Sequence, residues 1–204
     1  MNTSFTRRRG GRSSARVKSI VKINFGRKAD ACRELISGLQ EGMAQNDPLI
    51  DPLVRIGHVH LKVADIDRAL SFYCGVLGFE LQQRFGTQAA FISAGGYHHH
   101  IGLNTWESKG GSPPPPHCTG LYHHAILYPT RPALAEALRR VLAAGIELEG
   151  LADHGVSEAI YLRDPDYNGV ELYWDRPREQ WPRTPDGGLA MFTRALDLDE
   201  LLKL

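Results

Sequence analysis

With 204 residues, 42% of them hydrophobic, the chain is long enough to bury one substantial core and too short for two full domains. A formal net charge of +1 excludes a global electrostatic case for a nucleic-acid or membrane partner, and no apolar run nears the roughly 20 residues of a membrane helix. Cys32, Cys74 and Cys118 lie far apart with no CxxC pair, which excludes a disulfide scaffold and fits a soluble protein of a reducing cytoplasm.

The charge is uneven along the chain. Arg7, Arg8, Arg9, Arg12, Arg16, Lys18, Lys22, Arg27, Lys28 and Arg33 face only Asp30, Glu34 and Glu41 in residues 1–42. That stretch has no apolar segment of the kind a secretory signal needs, so residues 1–52 read as a basic, flexible arm. Regular patterning starts at Leu53, where residues 53–63 alternate in the period of a strand. Asp65 can then cap a helix whose apolar positions, Ala69, Leu70, Phe72, Tyr73, Val76 and Leu77, recur at three-and-four spacing until Gly78 stops it. Short strands are expected at 79–85, 89–93 and 101–105. A proline-rich joint over 108–117 breaks the pattern.

After the joint the same order restarts. A strand is expected at 121–127, a cap at Thr130, a helix at 133–144 ended by Gly145, and strands at 146–149, 159–163 and 169–174. His58 matches His123, Gly78 matches Gly145 and Gly102 matches Glu171, so the chain contains an internal repeat. The expected fold class is α+β: two tandem βαβββ modules, 53–107 and 118–176, whose sheets form a cupped mixed sheet around a shared site. Residues 177–204 follow as a C-terminal arm with a short helix near 196–202.

Nine histidines is a high number for this length, and their positions carry the argument. His58 and His123 open the two modules at matched places, and Glu171 lies on the last strand of the second. Two imidazoles and one carboxylate make a three-ligand facial site suited to Fe(II) or Mn(II), although zinc accepts the same donors. A single strand histidine is more often a hydrogen-bonded structural residue; recurrence at matched positions reverses that preference. His60 and His124, each adjoining a chosen ligand, are the rivals; His60 shares a strand face with His58, but its repeat partner is Ala125.

The strings Gly57-His58-Val59-His60-Leu61-Lys62-Val63, Gly95-Gly96-Tyr97-His98-His99-His100-Ile101-Gly102-Leu103-Asn104, Asp153-His154-Gly155-Val156-Ser157-Glu158 and Asp164-Pro165-Asp166-Tyr167-Asn168-Gly169-Val170-Glu171-Leu172-Tyr173 together resemble the vicinal-oxygen-chelate superfamily. That superfamily takes in glyoxalase I, extradiol ring-cleaving dioxygenases and bleomycin-binding proteins. Within it the chain resembles the compact bacterial catechol 2,3-dioxygenase-like proteins, over about residues 53–176.

The resemblance implies the metal ligands His58, His123 and Glu171, with Fe(II) as the cofactor and Mn(II) as its substitute. Tyr161, ahead of the Asp-Pro turn, and His154, before Gly155, match residues that hydrogen-bond and orient the diol. A further acid–base histidine belongs on the last strand of the first module. Motif matching selects His99; strand alternation from Gly102 selects His100, which is then expected as a substrate-binding neighbour. The implied activity is extradiol cleavage of a catechol-type diol with dioxygen. Its partners are a small aromatic diol and dioxygen, with neither membrane nor nucleic acid, and a homo-oligomer is compatible with it. Glyoxalase-like lyase, isomerase or transferase chemistry and metal-free drug binding are the alternatives. Gly102, where a four-ligand glyoxalase site would have a carboxylate, favours three ligands. Tyr167 stands where the turn would have glycine, so a positive φ there is expected to strain the loop.

Overall fold

Strand alternation in the first module divides its residues between two faces. In the computed structural model, which describes residues 50–204, β1 (Val59–Lys62) buries Leu61, and Val63 just beyond it, while His60 and Lys62 are exposed on the other side. Asp65 caps α1 (Ile66–Leu70) by accepting from the Arg68 amide. The helix then continues as a π-helical turn over Ser71–Val76, where Leu77 N bonds Phe72 O, and Gly78 at φ 85° ends it. The expected helix is present, with its second half widened.

β2 (Glu80–Phe85), β3 (Ala89–Ser93) and β4 (Ile101–Asn104) complete a four-stranded sheet in the order β1-β4-β3-β2, with β1 and β4 parallel. Residues 53–58 were expected in β1. They lie outside the sheet, because β4 begins only at Ile101 and offers them no partner.

The second module repeats this plan. β5 (His124–Leu127), α2 (Arg131–Ala143), β6 (Leu148–Asp153), β7 (Ser157–Arg163) and β8 (Gly169–Asp175) form a sheet in the order β5-β8-β7-β6. Thr130 caps α2 as expected, through its side-chain oxygen and the Ala133 amide. The second strand runs over Leu148–Asp153, beyond the expected 146–149. Corresponding strands occupy corresponding places in the two sheets, so the internal repeat is a structural one.

A hydrophobic core joins the inner faces. Leu134 and Leu138 of α2 and Ile160 and Leu172 of the sheet are fully buried, each contributing about 2 kcal/mol by removal from water. The modules are also clipped together by the Asp-Pro turn after β7. Asp166 Oδ1 accepts from the Ala64 amide at 2.9 Å and from Arg68 at 2.5 Å, and Asp164 Oδ2 accepts from the buried Tyr73 hydroxyl at 3.0 Å.

The C-terminal arm adds β9 (Arg194–Ala195), paired with β6 as a fifth strand, and α3 (Leu198–Leu202), which packs on α2 and buries Leu201. Residues 55–204 make one compact unit. The expected basic arm falls outside the described residues, apart from residues 50–52. Among the described residues no helix is long and apolar enough to cross a membrane.

Candidate active site

β8 and β7 bring Glu171 and Tyr161 into register as direct cross-strand neighbours. The Tyr161 hydroxyl donates to Glu171 Oε1 at 3.1 Å and meets His154 Nε2 at 2.8 Å. On its other side, Glu171 Oε2 lies 2.8 Å from His123 Nε2. His154, Tyr161, Glu171 and His123 therefore form one continuous polar chain across the second module. Burial first, then the Glu171 carboxylate, pushes the Tyr161 phenol up to about 12, so it stays protonated and can donate.

His123 reaches Glu171 because β5 approaches β8 closely. Gly169 opens β8, and a side chain there would collide with the Tyr122 carbonyl and lie 2.9 Å from His123 Cβ. The following turn is held by Asp164, whose Oδ1 accepts from the Asp166 and Asn168 amides. Tyr167 takes φ 63°, the left-handed conformation expected of a glycine position, with its ring exposed to solvent.

The first module contributes a different surface. The His58 ring lies 4.4 Å from that of His99, and His99 also packs edge-on to Phe91 at 5.1 Å. Burial and the neighbouring imidazoles, His58 foremost, hold His99 below the ordinary histidine range. His60 lies directly over Gly102, where an added Cβ would collide with its ring, and its Nδ1 is 3.1 Å from the Asn104 side-chain amide. His100 instead packs against Tyr97 at 4.8 Å, and its Nδ1 accepts from the Ala94 amide. His100 stands just before β4, its amide bonded to the Ile92 carbonyl and its carbonyl to the Val59 amide, and it lines a cavity with His58 and His123, while His99 is the histidine placed beside the His58 ring.

His58 and His123 line one cavity of about 870 Å³; His123 also lines a second, of about 480 Å³, together with Tyr161. The donor chemistry suits a divalent cation. Two ligands on neighbouring corners of an octahedron with bonds near 2.1 Å stand about 3 Å apart, and the His123–Glu171 pair is separated by 2.8 Å. Among the described residues, no group of three or more His, Cys, Asp and Glu side chains is drawn together tightly enough to hold a metal. The pair is assembled, and His58 stands elsewhere on the shared cavity wall.

Two further residues belong to the site's surroundings, one without a sequence signal and one a rival ligand in the sequence. Tyr73 occupies an ordinary apolar helix position, and His124 adjoins His123; the fold sets the Tyr73 hydroxyl 3.5 Å from His124 Nε2 and within reach of Asp164. Burial lowers the buried His124 to about 4, so it is a neutral structural imidazole.

The sequence profile of the Glyoxalase/Bleomycin resistance protein/Dioxygenase superfamily matches residues 55–172. The chain is 42% identical over 149 residues to a catechol-2,3-dioxygenase of Bacillus subtilis (strain 168), covering 72% of this chain and 51% of that protein. It is 31% identical over 123 residues to biphenyl-2,3-diol 1,2-dioxygenase 3 of Rhodococcus globerulus, covering 59% of this chain and 63% of that one. The chain thus spans about half the length of the Bacillus relative. A glyoxylase/bleomycin resistance protein/dioxygenase domain from Frankia sp. EAN1pec shares the fold, with a TM-score of 0.50 over 61% of this chain and 99% of that one at 21% identity.

Proposed function

The chain belongs to the glyoxalase/bleomycin resistance protein/dioxygenase superfamily, and from that premise we propose that it is an Fe(II)-dependent extradiol dioxygenase that opens a catechol-type aromatic diol with dioxygen. The observation that carries this reading is the unbroken polar chain from His154 through Tyr161 and Glu171 to His123. A phenol between a histidine and a metal-type carboxylate is a device for binding an acidic diol, and two relatives are named as aromatic-diol dioxygenases.

His58, His123 and Glu171 would hold the cation. Fe(II), or Mn(II) in its place, would supply Lewis acidity toward the diol and a path for electrons between diol and dioxygen. Tyr161, kept protonated, donates its hydrogen bond to a diol oxygen and fixes the ring's orientation. His154 takes up the proton that the diol loses on binding. His99, beside His58 and against Phe91, acts as acid or base toward the second reacting oxygen. His100, which lines the cavity shared by His58 and His123, is the substrate-binding neighbour. Both atoms of dioxygen end in the ring-opened product, a semialdehyde or keto acid. The diol and dioxygen are the only partners the reaction needs, and residues 55–204 contain every group named.

Anaerobic loading with Fe(II), followed by an oxygen-electrode assay with catechol, tests the proposal. Oxygen uptake with a yellow product, lost in Glu171→Ala, is expected. Bound metal with no uptake across several catechols would refute ring cleavage and point to non-oxidative chemistry at the same residues.

A further inference from the structure

The C-terminal arm, which carries no readable motif, closes on one end of the polar chain. His154 Nε2 faces Tyr161 at 2.8 Å, while its Nδ1 lies 3.1 Å from Thr193 Oγ1 and 3.3 Å from the Phe192 carbonyl oxygen. A carbonyl can only accept, so Nδ1 must carry the hydrogen. In the neutral ring that leaves Nε2 bare, as an acceptor pointing at Tyr161. The hydroxyl of Tyr161 has one hydrogen and two acceptors, His154 Nε2 and Glu171 Oε1. When Nε2 gains a proton it becomes the donor to Tyr161, which leaves the phenol hydrogen free for Glu171 or for a bound diol oxygen.

The contact is a built one. Phe192 N donates back to the His154 carbonyl at 3.2 Å, and β9 pairs with β6 at Ala152↔Ala195 and Asp153↔Arg194. Arg194 lies over the Phe192 ring at 4.3 Å. Gly155 lacks a side chain where Phe192 and Pro182 close over it, since a Cβ there would stand 2.6 Å from the Phe192 ring and 2.9 Å from Pro182. Beyond the clamp, α3 is anchored by the fully buried Leu201.

We propose that Phe192 and Thr193 belong to the working site: they hold His154 as the Nδ1–H tautomer, so that Nε2 is the atom that takes the diol's proton. The step is balanced. One O–H bond of the diol breaks, one N–H bond forms at Nε2, and the imidazolium's charge is shared with the Phe192 carbonyl. Thr193 is a positioning residue, acting through His154. What the proton is used for rests on the ring-cleavage reading; the tautomer itself does not.

The test is a two-bond proton–nitrogen NMR spectrum of the full-length chain with 15N-labelled histidine, recorded without metal and with zinc as a diamagnetic stand-in, His154 being assigned by His154→Gln. The wild type is expected to show a protonated Nδ1 and a bare Nε2. Thr193→Val, at an exposed position that tolerates the change, is expected to mix the tautomers and to lower kcat for catechol about 10-fold with KM within about 2-fold. Thr193→Ser should restore both. A wild-type His154 with its hydrogen on Nε2 overturns the proposal. So does a Thr193→Val protein whose spectrum or turnover matches the wild type. A wild type with the expected spectrum that takes up no oxygen contradicts ring cleavage, and the clamp then stands or falls on the Thr193→Val spectrum.

Discussion

On β8 of the second module Glu171 stands between Ala125 of β5 and Tyr161 of β7; on β4 of the first, the matched place is Gly102, between His60 of β1 and Phe91 of β3. The bulk has moved sideways. Where one module places a carboxylate beside a small residue, the other places a bare glycine beside an imidazole that lies over it. The exchange keeps both sheets packed while reserving the carboxylate for one of them. A side chain at position 102 meets the exposed His60 ring, which would have to move aside for it. A repeated frame can therefore divide labour, with a hydrogen-bonded donor chain on one side and an aromatic and imidazole wall on the other.

Substitutions that make the modules alike should expose that division. Glu171→Ala, which gives β8 the bareness of β4, is expected to abolish metal retention and to lower oxygen uptake by about 1000-fold or more. Tyr161→Phe copies Phe91 into the second module; kcat should fall about 100-fold with metal content unchanged, which kinetics and metal analysis on one preparation would check. The clip between modules is a third point. Asp164→Ala strands the buried Tyr73 hydroxyl and two backbone amides, and urea unfolding should show a loss of about 2 kcal/mol. Smallest is Gly102→Ala, where the new methyl displaces His60 at a cost of about 1 kcal/mol in the same assay, with metal content retained. If Gly102→Ala were silent in stability, the packing account of the bare glycine under His60 would be wrong.

Much of the frame is legible from local pattern. The capping residues Asp65 and Thr130 lie where hydrophobic periodicity changes, and matching the modules pairs His58 with His123 and Gly102 with Glu171 before any coordinates are known. The β1–β4 and β5–β8 registers place His60 and Ala125 as equivalents. Features that depend on contacts distant in sequence are not legible. Tyr73 looks like one more apolar helix position, and only the fold sets its hydroxyl against Asp164, across 91 positions of chain. Motif and alternation part at His99 and His100, and only the fold shows that His99 meets the His58 ring while His100 lines the cavity that His58 and His123 share. The arm's hold on His154 spans 38 and 39 positions and involves a backbone carbonyl, which leaves no mark on residue type.

The central claim is that His58 completes a cation site with the assembled His123–Glu171 pair. Its most direct test is metal stoichiometry after anaerobic Fe(II) loading and desalting, in the wild type and in His58→Ala. One ion per chain in the wild type and none retained in His58→Ala is the predicted result. A wild type that retains no ion, or a His58→Ala protein that keeps a full one, would contradict the account.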